Sequence, residues 1–294
     1  MGDAERVPQL IETSSVSGRI QATMALDAMN RQPTLYIPHG GGPCFFMEWT
    51  MGPPDTWDAL AEWLRGFPAT LPEPPRAMLV VSAHWETSGF AVTSAAQPPL
   101  LYDYYGFPPH TYQLTWPAPG EPALAGRVAE LLQTAGFEAA KDAQRGFDHG
   151  VFVPLKVSFP EAHIPTVQLS LDRRLDPEQH LALGRALAPL RDEGVLILGS
   201  GMSYHNMQHF QRSLARDASA TFDAWLDESL RLPREAREER LRHWQDAPAG
   251  RIAHPREEHL LPLMVVAGAA GDDAAQVAYR GKVMSATVSA FRFG

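Results

Sequence analysis

Cysteine is almost absent from this chain of 294 residues, which contains a single one, Cys44. One thiol cannot form an intramolecular disulfide, and this is typical of proteins from a reducing compartment. The sequence also lacks a run of about 18 apolar residues that could span a membrane, and its N-terminus lacks the apolar segment of a signal peptide. These absences predict a cytoplasmic protein with no membrane partner.

Basic residues are outnumbered, with 25 Lys and Arg against 34 Asp and Glu and a formal net charge of −9. A general nucleic-acid binder needs clustered Lys and Arg to contact phosphates, so this balance argues against that class of function. Hydrophobic residues make up 45% of the chain and charged residues 20%, which is typical of a globular protein. The length favours one large domain with a sizeable core.

Residues 1–32 are polar and lack a strong pattern, and we interpret them as an N-terminal extension, which is either partly helical around Arg19–Met29 or a poorly ordered tail. From residue 33 to residue 294, short apolar segments alternate with helical patterns. The predicted strands are Thr34–Pro38, Ala77–Ser82, Phe90–Ser94, Ile164–Leu171, Gly194–Leu198 and Lys282–Phe291. The predicted helices are Pro122–Ala135, Pro177–Asp192, Ala215–Leu230, Arg234–Gln245 and Glu257–Ala269. This order predicts an α/β fold, a single-domain three-layer sandwich with a mostly parallel mixed central sheet flanked by helices.

Four of the eleven histidines occupy positions in which a core histidine is seldom found. His39, His84 and His205 each follow a predicted strand, and His259 falls in the first turn of a late predicted helix. Ligands of open α/β sheets bind beyond the carboxyl ends of the strands, so these side chains are expected to share one site. Any one of them alone is more often a hydrogen-bonded or surface residue. His149, in Asp-His-Gly, is a fifth and weaker case that either caps a turn or faces the site.

Imidazole is a good ligand for Fe, Zn, Cu and Ni, and three protein ligands with open positions are typical of a catalytic metal site. A further histidine close to the metal could move protons. Glu257 and Glu258 precede His259 directly. Each is open to three interpretations: a metal ligand, a residue that orients the histidine, or a solvated residue in the first turn of a helix.

Other motifs carry less information. The glycines at 40–42 are not followed by the Lys-Ser/Thr of a phosphate-binding loop, and Gly199-Ser200-Gly201 lacks the spacing of a nucleophile elbow. Cys44 is either a nucleophile beside His39 or, as we favour, a small buried residue. Four aromatic residues either line a pocket or pack in the core and loops, namely Trp85, Tyr105, Phe107 and Trp116.

Six blocks in a fixed order resemble the class III extradiol ring-cleavage dioxygenases, the LigB-type catalytic subunit superfamily. They are IPHGGGPCF, VVSAHWET, DHGVFVPLK, IPTVQLSL, LILGSGMSYHNM and REEHLLPLMVVAGAA. The branch that they resemble is the 4,5-DOPA dioxygenase-like group, which is related to the catalytic subunit of protocatechuate 4,5-dioxygenase. The resemblance covers roughly residues 33–294.

The resemblance implies metal ligands at His39, His84 and His259. It implies that His205 acts near the metal as an acid/base or a further ligand, and that His149 either supports the metal ligands from behind or donates protons on the oxygen side. Protocatechuate-type members complete the metal site with Glu, so Glu258 stays open as an alternative third ligand. A site of three histidines also carries less negative charge, which favours zinc in purified protein.

The implied function is cleavage of a catechol by O2 at an Fe(II) centre to give a muconic semialdehyde, with His110 and Trp85 as candidate substrate contacts. A surface role is the alternative for His110. Two other functions stay open, a zinc-dependent hydrolase that uses the same histidines and a non-catalytic metal-binding or ligand-binding protein. The sequence leaves the particular catechol undetermined, and the oligomeric state open between a monomer and a small homo-oligomer.

Overall fold

A mixed β-sheet forms the centre of the molecule in the computed structural model, which describes residues 31–210 and 213–294. The first four strands are β1 (Thr34–Pro38), β2 (Ala77–Thr87), β3 (Phe90–Thr93) and β4 (Ala139–Asp142). The other four are β5 (Thr166–Asp172), β6 (Val195–Gly201), β7 (Ala275–Val283) and β8 (Ala286–Phe293). In the described residues these strands form one sheet in the order β4-β3-β5-β2-β6-β1-β8-β7.

The middle of the sheet is parallel. Strands β5, β2, β6 and β1 pair in parallel, and antiparallel pairing joins β1 to β8, β8 to β7 and β5 to β3. Strands β1, β2, β5 and β6 are buried along most of their length, which explains their near-continuous apolar sequences. Because β1, β2 and β6 run the same way, their carboxyl ends meet at one edge of the sheet, where the predicted site residues lie.

Helices cover both faces of the sheet. They are α1 (Asp58–Gly66), α2 (Pro122–Thr134), α3 (His149–Ser158), α4 (Pro177–Leu187), α5 (Pro189–Asp192), α6 (Ser213–Leu230), α7 (Arg234–Arg242), α8 (Gly250–Ala253) and α9 (Leu261–Ala270). Successive residues of a strand point to opposite faces, and β6 shows which helix lies on each face. The Ser200 hydroxyl donates to the Gly150 carbonyl in α3, whereas Gly199 packs against the Pro262 carbonyl in α9. The predicted α/β sandwich is confirmed.

Three predicted elements differ from the structure. The predicted strand Lys282–Phe291 spans a hairpin, in which Val283 pairs with Ala286 and Met284 lies in the turn with φ of 53°. The predicted helix Glu257–Ala269 begins only at Leu261, so His259 precedes the helix and does not lie in its first turn. His84 lies inside β2, which continues beyond the predicted end at Ser82.

The predicted helix around Arg19–Met29 lies outside the described residues. The end of the predicted extension is attached to the sandwich. The Gln32 backbone N–H donates to the Arg191 backbone carbonyl at 3.1 Å, and Arg191 Nε donates to the Gln32 backbone carbonyl at 2.8 Å. A search of the described helices for one long and apolar enough to cross a membrane gives none.

Candidate metal centre

Three histidines meet at the carboxyl-end edge of the sheet, each carried by a different segment. His39 follows β1, His84 lies near the end of β2, and His259 lies in the turn before α9. They form part of the lining of a cavity of about 330 Å³, together with His149 and His205. The structure therefore brings together the five histidines that the sequence analysis singled out.

Local sequence explains how two of these rings reach the cavity. Gly40 follows His39 with φ of +90°, a left-handed conformation that L side chains rarely adopt, and a methyl group there would overlap Cys44 Sγ. In β2, the pairing with β5 shifts register between Val81 and Glu86. A bulge of this kind re-aims side chains, and His84 lies within it.

The ring nitrogens of His39, His84 and His259 converge. One nitrogen from each lies within 4.8 Å of the other two. The Nε2 atoms of His39 and His84 are 3.2 Å apart. Two imidazole nitrogens that bind one metal at about 2.1 Å each, at angles near 90–110°, lie about 3.0–3.4 Å apart. The observed separation fits that arrangement.

The opposite ring nitrogens face acceptors. His39 Nδ1 lies 2.8 Å from the Gly40 carbonyl and His259 Nδ1 lies 2.9 Å from Glu258 Oε1. His84 Nδ1 faces Asp103 Oδ2 more loosely, at 3.9 Å. Acceptors at Nδ1 favour the tautomer in which Nε2 carries the lone pair, and metal-binding histidines are commonly fixed in this way.

Protonation is disfavoured at all three rings. Burial, reinforced by the neighbouring histidines, holds the pKa values of His39, His84 and His259 well below the ordinary histidine value. A metal ligand has to be neutral imidazole, so the lowered pKa values favour the binding form. His259 Nε2 is buried and has no hydrogen-bond partner among the described residues, and a bound cation would take up its lone pair. The residues present therefore fit a metal ion.

His205 lies against the cluster but is not part of this triplet. Its ring stacks on that of His259 with centroids 3.4 Å apart and an interplanar angle of 17°. Its Nδ1 lies 3.3 Å from Glu258 Oε1, the same oxygen that contacts His259 Nδ1. Glu258 is thus shared by two histidines and lies on the Nδ1 side of His259, away from the free Nε2. This placement supports His259 as the third ligand, with Glu258 orienting it.

Burial by itself would raise the pKa of Glu258. The net pKa is nevertheless lowered, because a hydrogen bond with His205, a backbone hydrogen bond and the nearby positive charge together outweigh burial. The carboxylate is therefore ionised at neutral pH and can stabilise a proton on either histidine. Arg256 also contacts Glu258, at 3.3 Å.

His149 is held by a residue that the sequence analysis missed. Asp103 Oδ1 accepts from the His149 backbone amide at 2.9 Å and from His149 Nδ1 at 2.8 Å. The ring of His149 lies 4.0 Å from that of His84, centroid to centroid. Burial works to raise the pKa of Asp103, and the bonds and charge of His149 outweigh it and lower the pKa. Asp103 lies in a proline-rich loop whose sequence has no periodicity, and it meets His149 only through the tertiary fold.

A buried polar network fixes the segment that carries His84. Ser82 Oγ accepts from the His84 amide at 3.2 Å and donates to Asp148 Oδ1 at 2.7 Å. Asp148 is fully buried and is also bonded by Arg145, at 2.9 Å, and by Gln168. This network ties the bulge of β2 to the start of α3, where His149 begins the helix.

Several other predicted site residues lie away from the cavity. His110 is exposed and its Nε2 bonds the Phe46 carbonyl at 3.0 Å, while Trp85 is buried beneath the Arg145 guanidinium. Neither of these two candidate substrate contacts lines the cavity. Cys44 does not line it either, and burial raises the pKa of its thiol, which argues against a nucleophile. Of the four predicted pocket aromatics, only Phe107 is part of the wall.

Comparison with known proteins agrees with this geometry. The model of one protein family, described as the catalytic LigB subunit of aromatic ring-opening dioxygenase, matches residues 34–291. A protein of Portulaca grandiflora named 4,5-DOPA dioxygenase extradiol is 46% identical over 216 residues, covering 71% of this chain and 78% of the relative. A protein of Escherichia coli K12 with the same name is 37% identical over 242 residues, covering 81% of this chain and 85% of the relative.

A solved structure is also similar. The crystal structure of the uncharacterized protein JW3007 from Escherichia coli K12 matches with a TM-score of 0.72 and 32% sequence identity. The match covers 90% of this chain and 100% of the other.

Proposed function

This chain belongs to the family of catalytic LigB subunits of aromatic ring-opening dioxygenases, and we propose that it cleaves a catechol with O2 at an Fe(II) centre. The bond that breaks joins a hydroxyl-bearing ring carbon to its neighbour outside the diol. Both atoms of O2 enter the product, a muconic semialdehyde. The observation that carries the proposal is the convergence of three neutral imidazole nitrogens in a cavity that holds two further, carboxylate-bonded histidines.

We assign the metal to the Nε2 atoms of His39, His84 and His259. Three protein ligands would leave coordination positions open for the substrate and for O2. When bound, the metal supplies Lewis acidity and holds both reactants in one place. The protein residues supply the orientation of the ligands and the proton transfers.

His205 is the proposed base that takes a proton from the catechol. Its Nδ1 faces Glu258, so its Nε2 is the free position on the ring. The Glu258 carboxylate stabilises the imidazolium that forms when Nε2 accepts the hydroxyl proton. Stacking on His259 places the base beside one of the three residues that would hold the metal.

His149 is the proposed acid on the oxygen side. With Nδ1 bonded to the Asp103 carboxylate, its Nε2 delivers a proton when the ring is an imidazolium, and the ring then returns to neutral imidazole with Nδ1–H still bonded to Asp103. Its ring lies beside those of His84 and His39, 4.0 and 5.2 Å away between centroids, on the side of the cluster away from the His205–His259 stack. The two histidines thus offer one base and one acid on different sides of the metal ligands.

The test is anaerobic reconstitution with Fe(II), followed by oxygen uptake and absorbance measurements with a panel of catechols. We expect oxygen consumption and a yellow ring-opened product. His39→Ala and His84→Ala should lose both metal affinity and turnover. His163→Ala is the matched control, because it removes an exposed histidine away from the cavity. No oxygen uptake with any catechol would contradict the proposal.

Metal identity is tested in the same preparation. Zinc fits the same three nitrogens, so we expect the Zn(II) protein to bind catechols without consuming oxygen. Hydrolytic activity of the Zn(II) protein under strictly anaerobic conditions would instead support the alternative of a zinc hydrolase.

A further inference from the structure

Above the histidines, the wall of the cavity is apolar. The residues that form it come from the loops after β1 and β6, from the loop that carries Phe107 and from the hairpin between β7 and β8. They are Trp49, Trp57, Phe107, Met202, Phe210 and Met284. Most polar atoms of the cavity thus belong to its five histidines, and a substituent on a bound catechol would meet carbon and thioether sulfur.

Two of the aromatic rings are rigidly placed. Trp49 and Trp57 meet edge to face with centroids 5.3 Å apart, and each is about nine-tenths buried or more, at 6% and 5% exposure. Their indole nitrogens have almost no accessible surface and no hydrogen-bond partner among the described residues, so the surface that the rings contribute to the cavity is carbon. Such a wall favours apolar area and offers little to a charged group.

The mouth of the cavity is apolar as well. Met207 is 72% exposed and Met51 is 44% exposed, and both line the cavity. Contiguous exposed apolar surface often marks a ligand-binding site, and methionine adapts its shape to varied ligands. The path into the site therefore has the same character as its wall.

Positive charge is paired elsewhere. No Lys or Arg of the described residues lines the cavity. Arg145 and Arg256, which are close to the histidine segments, are bonded to Asp148 and Glu86 at 2.9 and 2.6 Å. Within the part of the chain that the structure describes, a substituent carboxylate would lose its hydration without gaining a Lys or Arg partner, and the carboxylates of Asp103 and Glu258 lie behind the histidines.

We propose that this protein acts on catechols whose ring carries an uncharged, apolar substituent, and that it discriminates against catechols whose substituent carries a carboxylate. This inference rests on the proposed function and narrows its substrate class. The relatives are named for DOPA, whose ring carries an amino-acid side chain and therefore a carboxylate. The substrate class proposed here differs from the one that their name indicates.

The test uses two ligands of matched size, 4-propylcatechol and 3-(3,4-dihydroxyphenyl)propanoate. They differ only at the end of the side chain, which is a methyl group in the first and a carboxylate in the second. We expect kcat/KM of the Fe(II) protein to be about 10- to 100-fold higher for the propyl compound, the effect of leaving a buried charge unpaired. Anaerobic calorimetric titration should rank the two dissociation constants in the same order. A carboxylate that binds and reacts as well as the propyl group, or better, overturns the inference.

Two outcomes separate this inference from the proposed function. Oxygen uptake with the carboxylate compound preferred would sustain the proposed function and overturn the substrate class. No oxygen uptake with either compound would overturn the proposed function, and the anaerobic titration would then decide the preference by itself.

A charge placed at the mouth tests the location of the substituent. Met207→Lys should lower the ratio of kcat/KM for the propyl compound to kcat/KM for the carboxylate compound by about 10-fold, because the ammonium can pair with the carboxylate. Leu214→Lys is the matched control, since Leu214 is 46% exposed and does not line the cavity, and it should leave the ratio unchanged. An unchanged ratio in Met207→Lys would contradict a substituent lying toward the mouth and overturn this part of the inference.

Discussion

Gly150 offers a test of the packing that positions His84. It lies in the first turn of α3, one residue after His149, and its backbone faces the bulge of β2. A methyl group at this position would lie 2.6 Å from Ser82 Oγ and 3.0 Å from His84 Cδ2, whereas ordinary contact begins at 3.4 Å. Gly150→Ala therefore has to displace Ser82 by about 0.8 Å and the His84 ring by about 0.4 Å.

Neither neighbour can move freely. Ser82 Oγ is fixed between the His84 amide and Asp148, and Cδ2 is bonded to the Nε2 atom that we assign to the metal. Overpacking of this kind destabilises a fold by about 1–3 kcal/mol. Displacement of one metal ligand should weaken metal affinity by about 10- to 100-fold, as loss of an orienting contact does.

The assay is an anaerobic competition titration against a chelator, with thermal unfolding of the metal-free protein measured alongside. Gly126→Ala is the control, because Gly126 is also in a helix, α2, and, apart from its chain neighbours and the backbone of its own helix, no atom of the described residues lies within 4 Å of the added methyl. It should stabilise the protein by about 0.5–1 kcal/mol and leave metal affinity unchanged.

The double variant Gly150→Ala/Ser82→Ala removes the larger overlap, that between the added methyl and Ser82 Oγ. It therefore distinguishes an effect on metal affinity from a failure of the single variant to fold. The overlap with His84 remains in that variant, so metal affinity should still fall. Metal binding as tight as in the wild type, in either variant, would refute the reasoning that this contact positions a ligand.

Three further predictions concern the side chains around the metal ligands. Glu258→Gln should weaken metal affinity by about 10- to 100-fold, measured by the same titration, because His259 loses a charged acceptor; unchanged affinity would contradict the role of Glu258. Asp103→Asn should lower kcat by about 100-fold in steady-state oxygen uptake, with metal content retained, since His149 loses the negative charge that stabilises its protonated ring; a normal kcat would exclude that role. His254 is buried and burial lowers its pKa to about 3, so it stabilises the fold fully above the ordinary histidine pKa near 6.5 and progressively less as pH falls toward 3. His254→Gln should reduce the slope of unfolding free energy against pH in that window by up to about 1.4 kcal/mol per pH unit, and an unchanged slope in chemical denaturation would contradict the lowered pKa.

The sheet was predictable where its strands are buried. Thr34–Pro38 matches β1 residue for residue, because a strand covered on both faces has a continuous apolar sequence. Strand β4 has no such pattern, since it is an edge strand with all its residues partly or fully exposed. The hairpin at Met284 was missed because its turn contains neither Gly nor Asn, the usual signal of such a turn.

Helix α3 was missed for a related reason. It is buried on almost every side, so its sequence shows no polar face, and Pro154 lies inside it. Pattern analysis identifies amphipathic helices and gives no helical period for a helix of this kind. The start of α3 nevertheless carries His149 and Gly150, two residues that shape the site.

The histidines of the site were predictable because each stands beside a strand end or a distinctive motif. Their partners were harder to predict. Asp103 comes from a long loop and meets His149 only through the tertiary fold, at a sequence separation of 46 residues. The apolar wall is likewise assembled from separate loops, as with Trp49 and Met202, and no local pattern marks its members as neighbours.

Isotope labelling tests the central claim most directly. The Fe(II) protein is supplied with 18O2 and a catechol, and the aldehyde product is trapped by borohydride reduction before its oxygen exchanges with water. Mass spectrometry should show two atoms of 18O in one ring-opened product. A ring-opened product without 18O, or a catechol returned intact after oxygen exposure of the metal-loaded protein, would contradict assignment of the three-histidine centre to a ring-cleaving dioxygenase.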